Sequence, residues 1–150
     1  MVASNTQALP APRRRQDFFT YSTGRPAAAL APAGVAQLFI NIQADADFVI
    51  EKLTYAADIA GAAQNIGNLT SPNVLVLLTS TGSGIQLMNI AAPLSSLFGT
   101  GTLPFILPYP RVLPANSQLQ ITLTSFEAAV SPFITLNFVG RKLYLIGNGV

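Results

Sequence analysis

Two stretches near the end of the chain repeat with a period of two, and that period restricts the fold more than any other feature. Leu119, Ile121 and Leu123 alternate with Gln118, Gln120, Thr122 and Thr124, and Ile134, Leu136 and Phe138 alternate with Thr135, Asn137 and Val139. Successive side chains of a strand point to opposite faces, so each stretch reads as a half-buried β-strand with one face in a core. A one-residue slip would expose the whole apolar set, which pins the register. Pro114-Ala115-Asn116-Ser117 is turn material ahead of the first stretch, and Glu127 to Pro132 turns the chain between the two.

Weaker versions of the pattern run back to Val35. Leu38, Ile40 and Ile42 alternate with Phe39, Asn41 and Gln43. Phe48 to Tyr55 has strong β character, with Val49, Leu53 and Tyr55 expected on one face. Val74 to Thr79 reads as a buried strand, and Ser80-Thr81-Gly82-Ser83-Gly84 as a hairpin loop into Ile85-Gln86-Leu87-Met88. Asn65 to Asn68 and Ser71 to Asn73 are turn residues, and one short helical turn is expected around Leu94 to Phe98. Pro104, Pro108, Pro110 and Pro114 punctuate the segment from Phe105 onward. Proline cannot donate to a central ladder, so this segment reads as an edge strand or an extended connection. Seven or eight short strands without a long helix predict an all-β chain. Its long irregular connections point to a β-sandwich of jelly-roll or Greek-key topology.

Residues 1–34 read differently. They hold Pro10, Pro12, Pro26 and Pro32, the run Arg13-Arg14-Arg15 and an Ala-rich stretch from Ala27 to Ala31. The prolines disfavour a helix and the periodicity is weak, so the segment is expected to be an extended N-terminal arm, leaving residues 35–150 as the sandwich domain. Phe18, Phe19 and Tyr21 are three aromatics within it. They read either as anchors on a neighbouring subunit or as cover for the protein's own core. Together with Arg13, Arg14 and Arg15, whose guanidinium groups can pair with carboxylates, they are the expected partner-binding residues.

Composition narrows the function. Only 9% of the 150 residues are charged, eight basic and six acidic, against about 25% in an ordinary soluble domain. So few charges must cover the whole exterior of a chain that can bury roughly 68–70% of its surface. The expectation is a surface rich in uncharged polar residues, much of it covered by other chains. There is no Cys, His or Trp, which removes disulfides, thiolate or imidazole metal ligands and the usual nucleophile–histidine pair. Asp45 and Asp47 are read as a solvated turn rather than a carboxylate pair, because nothing points to a pocket that would separate two pKa values. Ser80 to Gly84 lacks the Lys and the spacing of a phosphate loop. No enzyme and no cofactor are expected. Runs such as Val74 to Leu78 are far short of the ~18 residues of a membrane span, and a net charge of +2 gives no footprint for nucleic acid. The N-terminus does not read as a signal peptide.

A proline-rich lead-in (Leu107-Pro108-Tyr109-Pro110), then Leu113-Pro114-Ala115-Asn116-Ser117, an alternating strand Leu119 to Thr124, and a strand ending Phe138-Val139-Gly140-Arg141-Lys142-Leu143-Tyr144 together resemble the small jelly-roll cement or decoration proteins of tailed bacteriophages. The resemblance covers roughly residues 104–145. It implies a structural virion protein that binds the major capsid protein on the outside of the head, as a homotrimer, and bridges capsomers. Assembly would take place in the host cytoplasm. The alternative is a head-fibre, neck or tail-fibre module that recognises a receptor or a glycan.

Overall fold

The computed structural model describes residues 14–59, 72–81 and 85–144. Among the described residues nine strands follow one another: β1 (Gln16–Ser22), β2 (Val35–Asn41), β3 (Ala46–Ile59), β4 (Val74–Ser80), β5 (Ile85–Gln86), β6 (Ala92–Pro93), β7 (Phe105–Leu113), β8 (Gln118–Ser125) and β9 (Pro132–Tyr144). One helical turn, α1 (Leu94–Leu97), lies between β6 and β7. They form two antiparallel sheets. The first has the order β1-β9-β3-β7; the second has the order β2-β8-β4-β5, with β6 also pairing along β4. The chain is therefore all-β and its sheets stack as a β-sandwich.

The alternating stretches build the two inner faces. β8 and β4 bury every second residue, Leu119, Ile121 and Leu123 on one and Val74, Val76 and Leu78 on the other, and their partners Gln120, Thr122 and Leu77 lie half-buried on the outside. β9 sends Ile134, Leu136 and Phe138 into the same core. Phe138 is 1% exposed and meets Phe98 edge-to-face at 5.7 Å between ring centroids. Phe138→Ala is expected to cost about 3–5 kcal/mol, read as a fall in the denaturant midpoint at unchanged slope.

β3 departs from simple alternation. Its pairing shifts between Ile50 and Lys52, a β-bulge that puts one extra residue into the strand. Phe48 and Ile50 point inward before the bulge and Leu53 and Ala57 after it. Val49, expected beside Leu53 and Tyr55, is consequently on the opposite face, although it is buried there. Gly140 of β9 sits opposite Ile50 at this point.

The expected edge strand at Phe105 to Pro114 is β7, at the end of the first sheet. The turn before β8 has Asn116 in the left-handed region at φ 62°, which Asn tolerates better than most residues. Ser80 pairs with Ile85 where β4 meets β5, while Gly82 to Gly84 of the expected hairpin loop and the turn residues Asn65 to Asn68 lie outside the described residues.

The arm is where the structure departs most from expectation. Residues 16–22 form β1, paired with β9 from Gln16↔Leu143 to Ser22↔Asn137. Tyr21 and Leu30 belong to the core, and Leu30 N donates to Pro132 O at 2.9 Å. Within the described residues there is thus no boundary at 34/35, because residues 16–34 supply an edge strand and its connection to the sandwich itself. The low periodicity misled because only Tyr21 is fully buried on a strand that lies at a sheet edge.

Candidate assembly surface

The candidate arm residues do not form one patch. Arg13 lies outside the described residues. Arg14 is half-buried and fastens the start of β1: its guanidinium donates to Tyr144 O at 2.8 Å, Leu143 O at 3.0 Å and Asp47 Oδ2 at 3.1 Å. Arg15 pairs with Asp17 at 2.7 Å and lies 4.9 Å from the Tyr144 ring centroid. Phe19 and Tyr21 stack edge-to-face at 4.8 Å, and Tyr21 does the same with Phe48. The Tyr21 hydroxyl accepts a hydrogen bond from Gln43 N at 3.0 Å. These contacts are internal. Of the three aromatics only Phe18, 77% exposed, faces outward.

The two aspartates of the expected solvated turn are also engaged. Asp47 Oδ1 accepts from Ala115 N at 2.8 Å, which ties the β7–β8 turn to β3. Asp45 receives Lys142 Nζ at 3.0 Å. Lys142 is 4% exposed, so its ammonium is held by Asp45, by a short contact with Gln43 Oε1 and by the face of the Phe19 ring 4.2 Å away. A buried cation needs such partners because desolvation is expensive. Among the described residues no group of three or more acidic, His or Cys side chains is placed to hold a metal ion.

What the structure does bring together is a division of charge between the sheets. Every charged residue on a strand lies in the first sheet: Asp17 on β1, Asp47, Glu51, Lys52 and Asp58 on β3, Arg111 on β7, and Arg141 and Lys142 on β9. Glu51 pairs with Arg141 at 2.8 Å, and Arg25, from the connection after β1, reaches Asp58 at 2.9 Å. The strands of the second sheet carry no charge at all. Its outer face is built from rows set by the pairing: Val35, Thr124 and Leu75; Gln37, Thr122 and Leu77; Phe39, Gln120 and Thr79. Val35 is 64% and Phe39 50% exposed. This face is an uncharged mosaic of amide, hydroxyl and apolar groups, with no ion to strip of water when another surface covers it.

The sequence held a signal for this face that period-two reasoning did not use: between Asp58 and Arg111 there is no charged residue, and between Arg111 and Glu127 there is none either. That one region supplies β4, β5, β6 and β8.

A second feature opens where the sheets part. Ile50, Leu53, Leu87, Phe105, Leu107 and Tyr109 line much of an apolar cavity of about 190 Å³. Tyr109, 86% exposed between Pro108 and Pro110, stands at its rim. Compared with protein-family models, curated proteins and solved structures, the chain matches none.

Proposed function

We propose that the protein is a structural subunit of a larger assembly, a cement or decoration protein bound to the outside of a bacteriophage head, where it bridges capsomers of the major capsid protein. The observation that carries this reading is the uncharged outer face of the second sheet. A chain with so little charge that also concentrates its strand charges on one side leaves the other side suited to burial against another surface. Interface cores are depleted of charged residues in the same way. The strand order supports reading the sandwich as a jelly roll. β1-β9-β3-β7 faces β2-β8-β4 and an interrupted last strand made of β5 and β6, and jelly rolls occur in viral capsid and lectin domains. Fold and function are separable, so the charge division bears more weight than the topology. A homotrimer on the shell, expected from the resemblance, belongs to the same proposal.

The receptor- or glycan-binding alternative has one observation in its favour, the exposed Tyr109 at the rim of the apolar cavity. Quantitative mass spectrometry of purified particles separates the two. Decoration requires copies in numbers comparable with the shell subunits, and loss of the protein should lower the temperature at which heads rupture. A few copies per particle, with rupture unchanged, would contradict it and favour the fibre or neck module.

A further inference from the structure

A sheet ends in edges, and an edge strand turns one row of N–H and C=O groups outward, where another strand can pair unless something on the edge forbids it. Among the described residues the two sheets have four edges, and three of them are guarded. β7 carries Pro108, Pro110 and Arg111. β5 and β6 are two residues each, and β6 ends in Pro93. β1 carries Asp17, paired with Arg15. The fourth, β2, has no charge, no proline and no bulge, and its register with β8 is continuous from Val35↔Thr124 to Asn41↔Gln118.

The hydrogen bonds at its two ends show which groups are turned outward. Ser125 N donates to Gly34 O at 2.9 Å and Ile42 N donates to Ser117 O at 2.8 Å. In an antiparallel pair the bonded residues alternate, so the even-numbered residues bond across to β8. Val35, Gln37, Phe39 and Asn41 therefore point their N–H and C=O groups away from the sheet. β2 pairs only with β8, and no turn or loop bond among the described residues takes these groups up.

We infer that the occupant of this edge is β2 of a second copy of the chain, antiparallel about a two-fold axis at Leu38, so that the uncharged sheets of two subunits become one continuous sheet. An isologous contact sets a patch against itself, so a charge on the strand would meet its own copy across the axis. β2 and the β5/β6 edge both escape this penalty, and of the two only β2, with seven residues and no proline, is long enough to pair along its length. The register of full overlap sets Val35 opposite Asn41 of the partner subunit and Gln37 opposite Phe39 of the partner subunit. All the outward-turned groups then face one another, giving about eight N–H···O bonds. Leu38 meets its own copy at the close spacing of a non-bonded pair, about 4.5 Å between Cα atoms. It is half-buried and lines an apolar cavity of about 280 Å³ with Leu123 and Ile134, so the inner side of the junction is apolar as well. This contact goes beyond the decoration reading and does not depend on it. It specifies a two-fold contact for the free protein where the resemblance implied a three-fold one.

The test is sedimentation of the full chain over a concentration series, with amide exchange followed by NMR. The expected result is a reversible dimer in which the amides of Val35, Gln37, Phe39 and Asn41 are protected, and lose that protection on dilution. Gln37→Pro removes one outward N–H and no bond to β8. Gln37→Lys places a cation near its own copy across the axis. Each should weaken the dimer at least tenfold with the melting transition of the monomer retained. If the proline variant misfolds, the lysine variant decides. A monomer at every concentration, a trimer, a dimer whose four amides exchange freely, or a dimer indifferent to the lysine variant would each overturn the inference.

Discussion

A chain beginning at Gly24 is expected not to fold. Removing residues 1–23 takes away β1, and with it Tyr21, whose ring packs edge-to-face on both Phe19 and Phe48. Loss of a buried aromatic side chain alone costs about 3–5 kcal/mol. The truncation also strips the backbone partners of β9 from Asn137 to Leu143, the Arg14 clamp on Tyr144 and Asp47, and the ring beneath the buried Lys142 ammonium. Against a typical total stability of about 5–15 kcal/mol, these losses together leave nothing to hold the sandwich closed. The measurement is far-UV circular dichroism with a thermal melt. The truncated chain should show no cooperative transition, whereas Phe18→Ala in the full chain should stay within about 0.5 kcal/mol of the parent because that ring is exposed. A cooperative, parent-like melt of the truncated chain would mean that residues 1–23 are an appendage after all.

Gly140→Ala is expected to be comparably severe for a different reason. A Cβ at this position would lie 1.8 Å from Val49 O and 2.9 Å from Val49 C, so it meets backbone rather than a movable side chain. The site is the centre of the first sheet, where Gly140 faces Ile50 on one side and Phe19 on the other. The β3 bulge lies directly beside this close approach. Overpacking a core costs about 1–3 kcal/mol when side chains can give way. Here β3 and β9 must separate, so the loss should reach at least about 3 kcal/mol or abolish folding. Gly101→Ala is the control, since nothing lies within 4 Å of its Cβ position, and it should change stability by less than about 0.5 kcal/mol. Equal melts for the two variants would show that the bulge relaxes.

Legibility in the sequence followed burial. β4, β8 and β9 bury one face and carry no extra residue of their own, so their apolar residues alternate and could be assigned to the core directly. β7 was legible through its prolines. β3 was found but its faces were not, because the extra residue near Glu51 shifts the parity and no side chain announces it. β1 was missed as a strand for two reasons. It is an edge with a single fully buried residue, and it lies between two proline-containing segments that resemble a flexible arm. Arg14 and Asp47, separated by 33 positions, meet only because β1 and β3 both flank β9. The charge division was present in the composition of residues 59–126, but its meaning depended on which strands share a sheet, and that pairing is a long-range property. Charge poverty alone predicted a covered surface without saying which one.

The central claim is that the uncharged outer face of the second sheet is the surface covered in the assembly. Hydroxyl-radical footprinting of the assembled particle against the free protein tests it directly. Phe39, Leu75 and Leu77 lie on that face, while Phe18 and Phe133 lie on the outer face of the charged sheet. The account predicts that assembly suppresses labelling of the first group and leaves the second labelled as in solution. Protection of Phe18 and Phe133 with Leu75 and Leu77 still reactive would contradict it.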